Sequence, residues 1–128
     1  MTALYQLVRD ADLAARNTFG VPARAPWLLQ VNDASLLPEA LALPQLRGLP
    51  LLPLGGGSNL LFAGDAPGAA LVMGGHDIRM LEDDGERVHV RAEAGVEWHG
   101  LVMWSVEQGL SGLENLALIP GSVGAAPI

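Results

Sequence analysis

The chain has 128 residues, half of them hydrophobic and 16% charged, so it can bury one modest core and lacks the composition of a disordered segment. Fourteen acidic residues face seven basic ones, all Arg, and the net charge of -7 argues against binding nucleic acid. The absence of Lys removes Schiff-base chemistry and the lysine-dependent phosphate loop, and the absence of Cys removes disulfides, thiolate zinc sites and a thiol nucleophile.

In chain order, Leu4, Leu7, Val8, Leu13 and Ala14 are spaced like one face of a helix, so the pattern predicts a helix over residues 1–16. The start itself has no basic stretch followed by a sustained apolar run. No later apolar run approaches ~20 residues, so a cytoplasmic chain with no membrane partner is expected. Trp27 to Val31 reads as a strand. Asn32-Asp33-Ala34-Ser35 then supplies capping side chains for a helix over about 35–46, which Gly48 ends.

Leu49 to Leu54 is a short extended segment that leads into Gly55-Gly56-Gly57-Ser58-Asn59. Consecutive glycines allow positive backbone dihedrals and let successive N–H groups point into one concavity, where an anion can approach closely. Ser58 and Asn59 add uncharged donors. The alternative reading of this loop is a flexible turn. It is not the G-x-G-x-x-G dinucleotide fingerprint, because Leu60 takes the last glycine's place and no clear parallel βαβ unit follows.

Ala69 to Met73 is a further strand. Ile78–Asp83 and Arg87–Ala94 flank Asp84-Gly85 as a hairpin, with Val88, Val90, Ala92 and Ala94 on one face and Arg87, His89, Arg91 and Glu93 on the other. Glu82, Asp83, Asp84 and Glu86 crowd its tip as a solvated acidic turn. Trp98, Leu101, Val102 and Ser105 recur at helical spacing, which predicts a helix over 96–108 with Gly109 as its stop. Trp98 and Trp104 read as core or interface residues.

The tail from Leu113 is rich in Gly, Ala and Pro, and its apolar character requires a surface to lie against. Within it, Pro120-Gly121-Ser122-Val123-Gly124-Ala125-Ala126-Pro127 is a second small-residue loop, suited to a flat or phosphorylated ligand or to a tight structural turn. His76, His89 and His99 have no metal-ligand spacing, and no Ser sits in G-x-S-x-G, so neither a metal site nor a hydrolase elbow is expected. Together the elements predict an α+β fold with mostly antiparallel strands.

Three ordered segments carry a resemblance: Asn17-Thr18-Phe19-Gly20, Leu54 to Leu61, and Gly112-Leu113-Glu114-Asn115-Leu116-Ala117-Leu118-Ile119-Pro120-Gly121-Ser122-Val123-Gly124-Ala125-Ala126-Pro127-Ile128. In order and content they resemble the UDP-N-acetylenolpyruvoylglucosamine reductases, and the likeness runs from Asn17 to the end. The resemblance implies an incomplete FAD-binding domain of the vanillyl-alcohol-oxidase (PCMH) type. Residues 1–57 would form a small first subdomain and 58–128 the first part of a second one, with the rest of the chain and the substrate-binding domain missing.

By that match Gly55, Gly56, Gly57, Ser58 and Asn59 would hold the cofactor pyrophosphate, with Leu60 beside them. Pro120, Gly121, Gly124, Ala125 and Ala126, joined by Ser122 and Ile128, would lie nearer the flavin ring. FAD would be non-covalent, since the first loop carries Ser58 and Asn59 where some relatives of the wider superfamily carry a linking His, and Cys is absent. The family passes a hydride from NADPH through the flavin to UDP-N-acetylglucosamine-enolpyruvate, making UDP-N-acetylmuramate for peptidoglycan. Its catalytic Arg, Ser and Glu have no counterpart here, so no catalytic residue is expected and the chain alone is expected to be inactive. The other readings are another FAD-dependent oxidoreductase of the same superfamily, acting on a sugar lactone or 2-hydroxy acid, and a non-catalytic FAD-binding remnant.

Overall fold

A computed structural model of the chain describes residues 3–126. The chain divides into two compact units, Met1–Gly74 and Gly75–Ile128, so Gly57 and Ser58, on either side of the expected subdomain boundary, both lie in the first.

The first unit is built on a four-stranded sheet in the order β1-β2-β4-β3, where β1 is Tyr5–Asp12, β2 Arg24–Val31, β3 Leu51–Pro53 and β4 Ala69–Met73. β1 and β2 are antiparallel, whereas β4 lies parallel to both β2 and β3. The sheet is covered on both faces, and β4 shows how. Ala69, Leu71 and Met73 point into one cluster with Leu29, Val31, Ala40 and Leu46, while Ala70 and Val72 point into another with Leu28, Leu54, Phe62 and Ala66. That is the period-2 alternation of a strand, with both faces apolar as expected for a strand buried on either side.

The helix expected over residues 1–16 is instead β1, followed by a 3-10 turn at Ala14–Arg16. Tyr5 and Leu7 pack into the second of these clusters' partner, the one built around Leu29 and Val31, while Val8, Ala11 and Leu13 pack with Leu28 and Ala70. Strict alternation would send Val8 and Ala11 to opposite faces. It fails because Asp10 is in the left-handed region, φ 51°, and stands opposite Pro26, between the registered pairs Arg9↔Trp27 and Ala11↔Ala25. β2 changes face at the same point, with Trp27 and Leu29 on one side and Ala25 and Leu28 on the other. Register survives because both strands turn over together, and Pro26 is tolerated where no ladder bond is needed.

The helix expected over 35–46 is broken into a 3-10 turn at Ala34–Leu36, the short helix α1 at Leu37–Leu41 and another 3-10 turn at Pro44–Leu46. Pro44 accounts for the interruption, since it cannot donate to a continuing helix and disfavours helical geometry in the residue before it. Asp33 caps the start as expected, accepting from the Ser35 N–H at 2.9 Å and the Ser35 hydroxyl at 2.6 Å.

In the second unit β5 (Ile78–Asp83) and β6 (Val88–Ala92) form the expected hairpin, with a register shift between Met80 and Glu82. Asp84 closes its tip by accepting from the N–H groups of Glu86 and Arg87, and Gly85 takes φ 87°. α2 (Trp98–Glu107) follows, burying Trp98, Leu101, Val102 and Ser105. It stops as expected at Gly109, φ 74°. The Gly109 N–H donates to the Val106 carbonyl and the Leu110 N–H to the Ser105 carbonyl, the paired bonds of a Schellman motif.

Candidate functional site

β3 and β4 are parallel neighbours, so the chain must travel back along the sheet between them, and it does so through residues 54–68 without a helix. Gly55 to Asn59 are the first residues of that return, at the carboxyl end of a parallel strand, where α/β sheets present backbone to ligands. Leu54 is buried, and its N–H donates to the Leu71 carbonyl at 2.8 Å, which fixes the root of the loop. Beyond it, none of the five N–H groups from Gly55 to Asn59 donates to another group among the described residues. The side chains of Ser58 and Asn59 likewise make no hydrogen bond there. Gly55, Gly56 and Asn59 are exposed, and Leu60 is half-buried against the core.

Unpaired backbone donors are normally satisfied by a partner or by water, so five in succession form a donor set that an anion can occupy. No carboxylate lies between Leu54 and Leu61 to repel one.

Gly57 has a different part from its two neighbours. It is buried with φ 69°, and a Cβ there would overlap the carbonyl of Arg16. Its own carbonyl accepts from the Thr18 N–H at 3.1 Å and the Thr18 hydroxyl at 3.3 Å. Asn17 is buried and ties that segment together. Its amide donates to the carbonyls of Leu13 at 2.9 Å and Val21 at 3.1 Å, and its Oδ1 accepts from the Val21 N–H at 3.0 Å. The Asn17-Thr18 motif, to which sequence reasoning assigned no site residue, is therefore the buttress of the glycine loop. Its signal was available, since a buried side-chain amide beside a Thr commonly bonds local backbone.

The second loop belongs to the other unit and is organised differently. The segment from Gly121 to Gly124 runs antiparallel to Ala94–Trp98, with Ser122 opposite Glu97. The N–H groups of Val123, Gly124, Ala125 and Ala126 are all taken by protein carbonyls, those of Val96, Ala94, Ser122 and Val123 respectively. Only the Gly121 and Ser122 N–H groups and the Ser122 hydroxyl are without partners among the described residues. Gly124 is glycine because a Cβ would crowd that of Ala94, at 2.7 Å. This loop therefore offers a ligand small, largely apolar backbone and two N–H groups. Pro120, Gly124 and Ala125 are exposed, whereas Gly121, Ser122 and Ala126 are half-buried. Ile128 lies outside the described residues.

Leading into it, Glu114 accepts from the Gly112 N–H, and its own N–H, together with that of Gly112, holds its carboxyl below the usual range. The Trp98 indole donates to the Leu116 carbonyl at 2.9 Å, the Trp98 N–H donates to the Gly121 carbonyl at 2.9 Å, and the Leu118 N–H donates to His99 Nδ1 at 3.1 Å. The second unit also has an open groove of about 1100 Å3 lined by Val88, Val90, Trp98, Trp104, Leu110 and Arg91 among others. It shares only Val123 with the Pro120–Ala126 loop. Among the described residues, no three His, Asp or Glu side chains group as metal ligands, and no helix is long and apolar enough to cross a membrane.

A family model described as FAD binding domain matches residues 26–128. The UDP-N-acetylenolpyruvoylglucosamine reductase of Xanthomonas campestris pv. campestris (strain 8004) is 57% identical over 124 residues, which are 97% of this chain and 35% of that protein. The protein of the same name from Xanthomonas euvesicatoria pv. vesicatoria is 54% identical over the same shares. Among solved structures, UDP-N-acetylenolpyruvylglucosamine reductase from Thermus caldophilus aligns with a TM-score of 0.65 and 26% identity, covering 95% of this chain and 40% of that one. The chain thus spans about a third of the length of the curated relatives it matches.

Proposed function

The chain belongs to the FAD-binding-domain family, and from that premise we propose that it supplies the flavin-binding portion of a UDP-N-acetylenolpyruvoylglucosamine reductase. The observation that carries this reading is the run of five N–H groups from Gly55 to Asn59 that have no partner among the described residues, at the end of a parallel strand. The identity of 57% to a reductase of that name, over nearly the whole chain, supports it.

In this reading the FAD pyrophosphate rests on the N–H groups of Gly55 to Asn59, with the Ser58 hydroxyl and Asn59 amide completing its shell and Leu60 closing the apolar side. Such oriented dipoles hold a dianion without a cationic side chain, which suits a chain with no Lys. Thr18 and Asn17 keep the loop open by fixing Gly57. Pro120, Gly121, Ser122, Gly124, Ala125 and Ala126, with Ile128, lie along the cofactor toward its ring, and the Gly121 and Ser122 N–H groups are the donors that loop has left to give. Bound FAD, held non-covalently, supplies a two-electron relay between NADPH and the enolpyruvyl group of the UDP-sugar.

None of the 128 residues is assigned to proton transfer to the substrate. Those groups, and the surface that recognises the UDP-sugar, belong to the two thirds of the relatives' length that this chain does not span. We place the reaction in the cytoplasm, where NADPH and UDP-sugars are held, as a step toward peptidoglycan precursors.

The test is a titration of the protein at its natural length with FAD, followed by NADPH oxidation with and without UDP-N-acetylglucosamine-enolpyruvate. Saturable flavin binding and substrate-dependent oxidation are expected. Flavin binding with oxidation driven instead by a sugar lactone or 2-hydroxy acid would replace the reductase reading, and no flavin binding would end it.

A further inference from the structure

Among the described residues Leu118 is the second of two non-glycine residues with positive φ, at 64°, and its side chain is 80% exposed. An L-residue in that region is disfavoured by contact between its Cβ and the backbone, and an exposed leucine side chain gains no burial to offset this. Something else must hold the backbone. The Leu118 N–H donates to His99 Nδ1 at 3.1 Å, from the first turn of α2.

The neighbouring residue completes the grip. Trp98 donates its indole N–H to the Leu116 carbonyl and its backbone N–H to the Gly121 carbonyl, each at 2.9 Å. Two consecutive residues of α2 thus hold the approach to the second loop at positions 116, 118 and 121. The outer two bonds fix the ends of a short span, and the middle one selects the left-handed conformation between them. Removing the middle bond leaves Leu118 free to return to negative φ, which redirects Ile119 and Pro120.

We propose that His99 is a positioning residue for the Pro120–Gly121 loop, acting through Nδ1 as the acceptor that holds Leu118. An imidazole nitrogen that accepts is unprotonated, so His99 works as the neutral tautomer with its proton on Nε2. The consequence for flavin binding rests on the reading above, in which this loop lies along FAD. The hold on the loop itself does not, because every bond in it is within the protein.

The experiment uses the protein at its natural length, with and without FAD. In the unliganded protein, nitrogen spectra of the His99 ring are expected to show hydrogen-bond coupling between Nδ1 and the Leu118 amide. His99→Asn places Oδ1 where Nδ1 stands and is expected to keep Leu118 amide exchange within about twofold of the parent. His99→Phe keeps the ring without the acceptor. It is expected to speed that exchange and weaken FAD about fivefold to tenfold, the size of one neutral hydrogen bond. Adding Leu118→Gly to His99→Phe removes the strain that needed holding and is expected to recover part of the affinity.

A protonated Nδ1, an unchanged His99→Phe protein, or a His99→Asn protein as impaired as His99→Phe overturns the proposal. The ring spectrum decides the matter even if the variants misfold. Failure of the parent to bind FAD would count against the proposed function alone, since the exchange and ring data do not depend on flavin.

Discussion

The α-carbon of Gly57 is seated so close to the Arg16 carbonyl that a β-carbon at this position would overlap it. Gly48 has a similar φ, 76° against 69°, but open space around it. The pair therefore separates the cost of conformation from the cost of contact. Gly48→Ala should lose about 1 kcal/mol, the penalty of a left-handed L-residue. Gly57→Ala should lose about 3 kcal/mol or more, because overpacking against backbone adds to it. Urea denaturation of the two variants checks this, and equal losses would show that Arg16 yields easily.

Asn17 is buried, and it presents its amide most closely to the carbonyls of Leu13 and Val21 and its oxygen to the Val21 N–H. Asn17→Asp preserves shape and replaces both donated bonds with a carboxylate facing carbonyl oxygens. Burying an unpaired charge costs several kcal/mol, so this change should destabilise more than Asn17→Ala, for which about 2–3 kcal/mol is expected from the unsatisfied groups left behind. Thermal unfolding at neutral pH ranks the two. Asn17→Asp should recover part of its deficit as pH falls and the carboxyl takes up a proton.

Gly55 and Gly56 are exposed and, unlike Gly57, are not in the positive-φ region. Gly56→Ala should leave stability nearly unchanged. Gly56→Glu should do the same while weakening FAD at least about tenfold, because a carboxylate then competes with the pyrophosphate for one concavity. Added salt should narrow the difference between the variants. Flavin fluorescence titrations at two ionic strengths test it, and a Gly56→Glu protein that binds like the parent would remove the phosphate from this loop.

How far the sequence could be read depended on whether one residue broke the period. β4 was legible because Ala69 to Met73 is a short unbroken apolar run, as suits a strand buried on both faces, and α2 and the hairpin were legible because their own periods run unbroken. β1 was not. The left-handed Asp10 opposite Pro26 turns both strands over, so Leu7, Val8 and Ala11 fall at helical spacing while lying in a strand. The parallel pairing of β4 with β2 and β3 was invisible because it depends on partners far apart in sequence. At the site, the glycine run announced a loop of free N–H groups, but nothing local said that Gly57 serves Arg16 and Thr18, or that the second loop spends four N–H groups on protein carbonyls.

Four exposed carboxyls are held below their ordinary values: Asp10 by Arg24, Asp33 by the hydroxyl and N–H of Ser35, Asp84 by the N–H groups of Arg87 and Glu86, and Glu114 by its own N–H and that of Gly112. A carboxyl whose folded pKa is depressed adds stability that is complete above its unfolded pKa and is lost as pH falls through the folded one. These groups therefore contribute fully at neutral pH and begin to lose their share only below ordinary values of 3.8 for Asp and 4.5 for Glu. Asp84→Asn keeps an acceptor for the turn and removes the titration. Its melting temperature should fall less steeply than the parent's in acid, and parallel acid limbs would assign the loss to other groups.

Trp98 joins two roles that one substitution can separate. Its ring is buried with Val96, Leu101 and Val102, and its indole N–H reaches out to the Leu116 carbonyl at 2.9 Å. Trp98→Phe retains most of the apolar packing and orphans that carbonyl, so about 1 kcal/mol of stability should be lost. Trp98→Ala should cost about 3–5 kcal/mol, since it also empties the core. The informative measurement is amide exchange. Trp98→Phe should loosen the span from Leu116 to Gly121 while leaving the Gly109 and Leu110 amides as protected as in the parent, because the helix stop depends on Val106 and Ser105 and not on the indole. Uniform loss of protection through α2 would mean that the indole bond supports the helix as much as the loop.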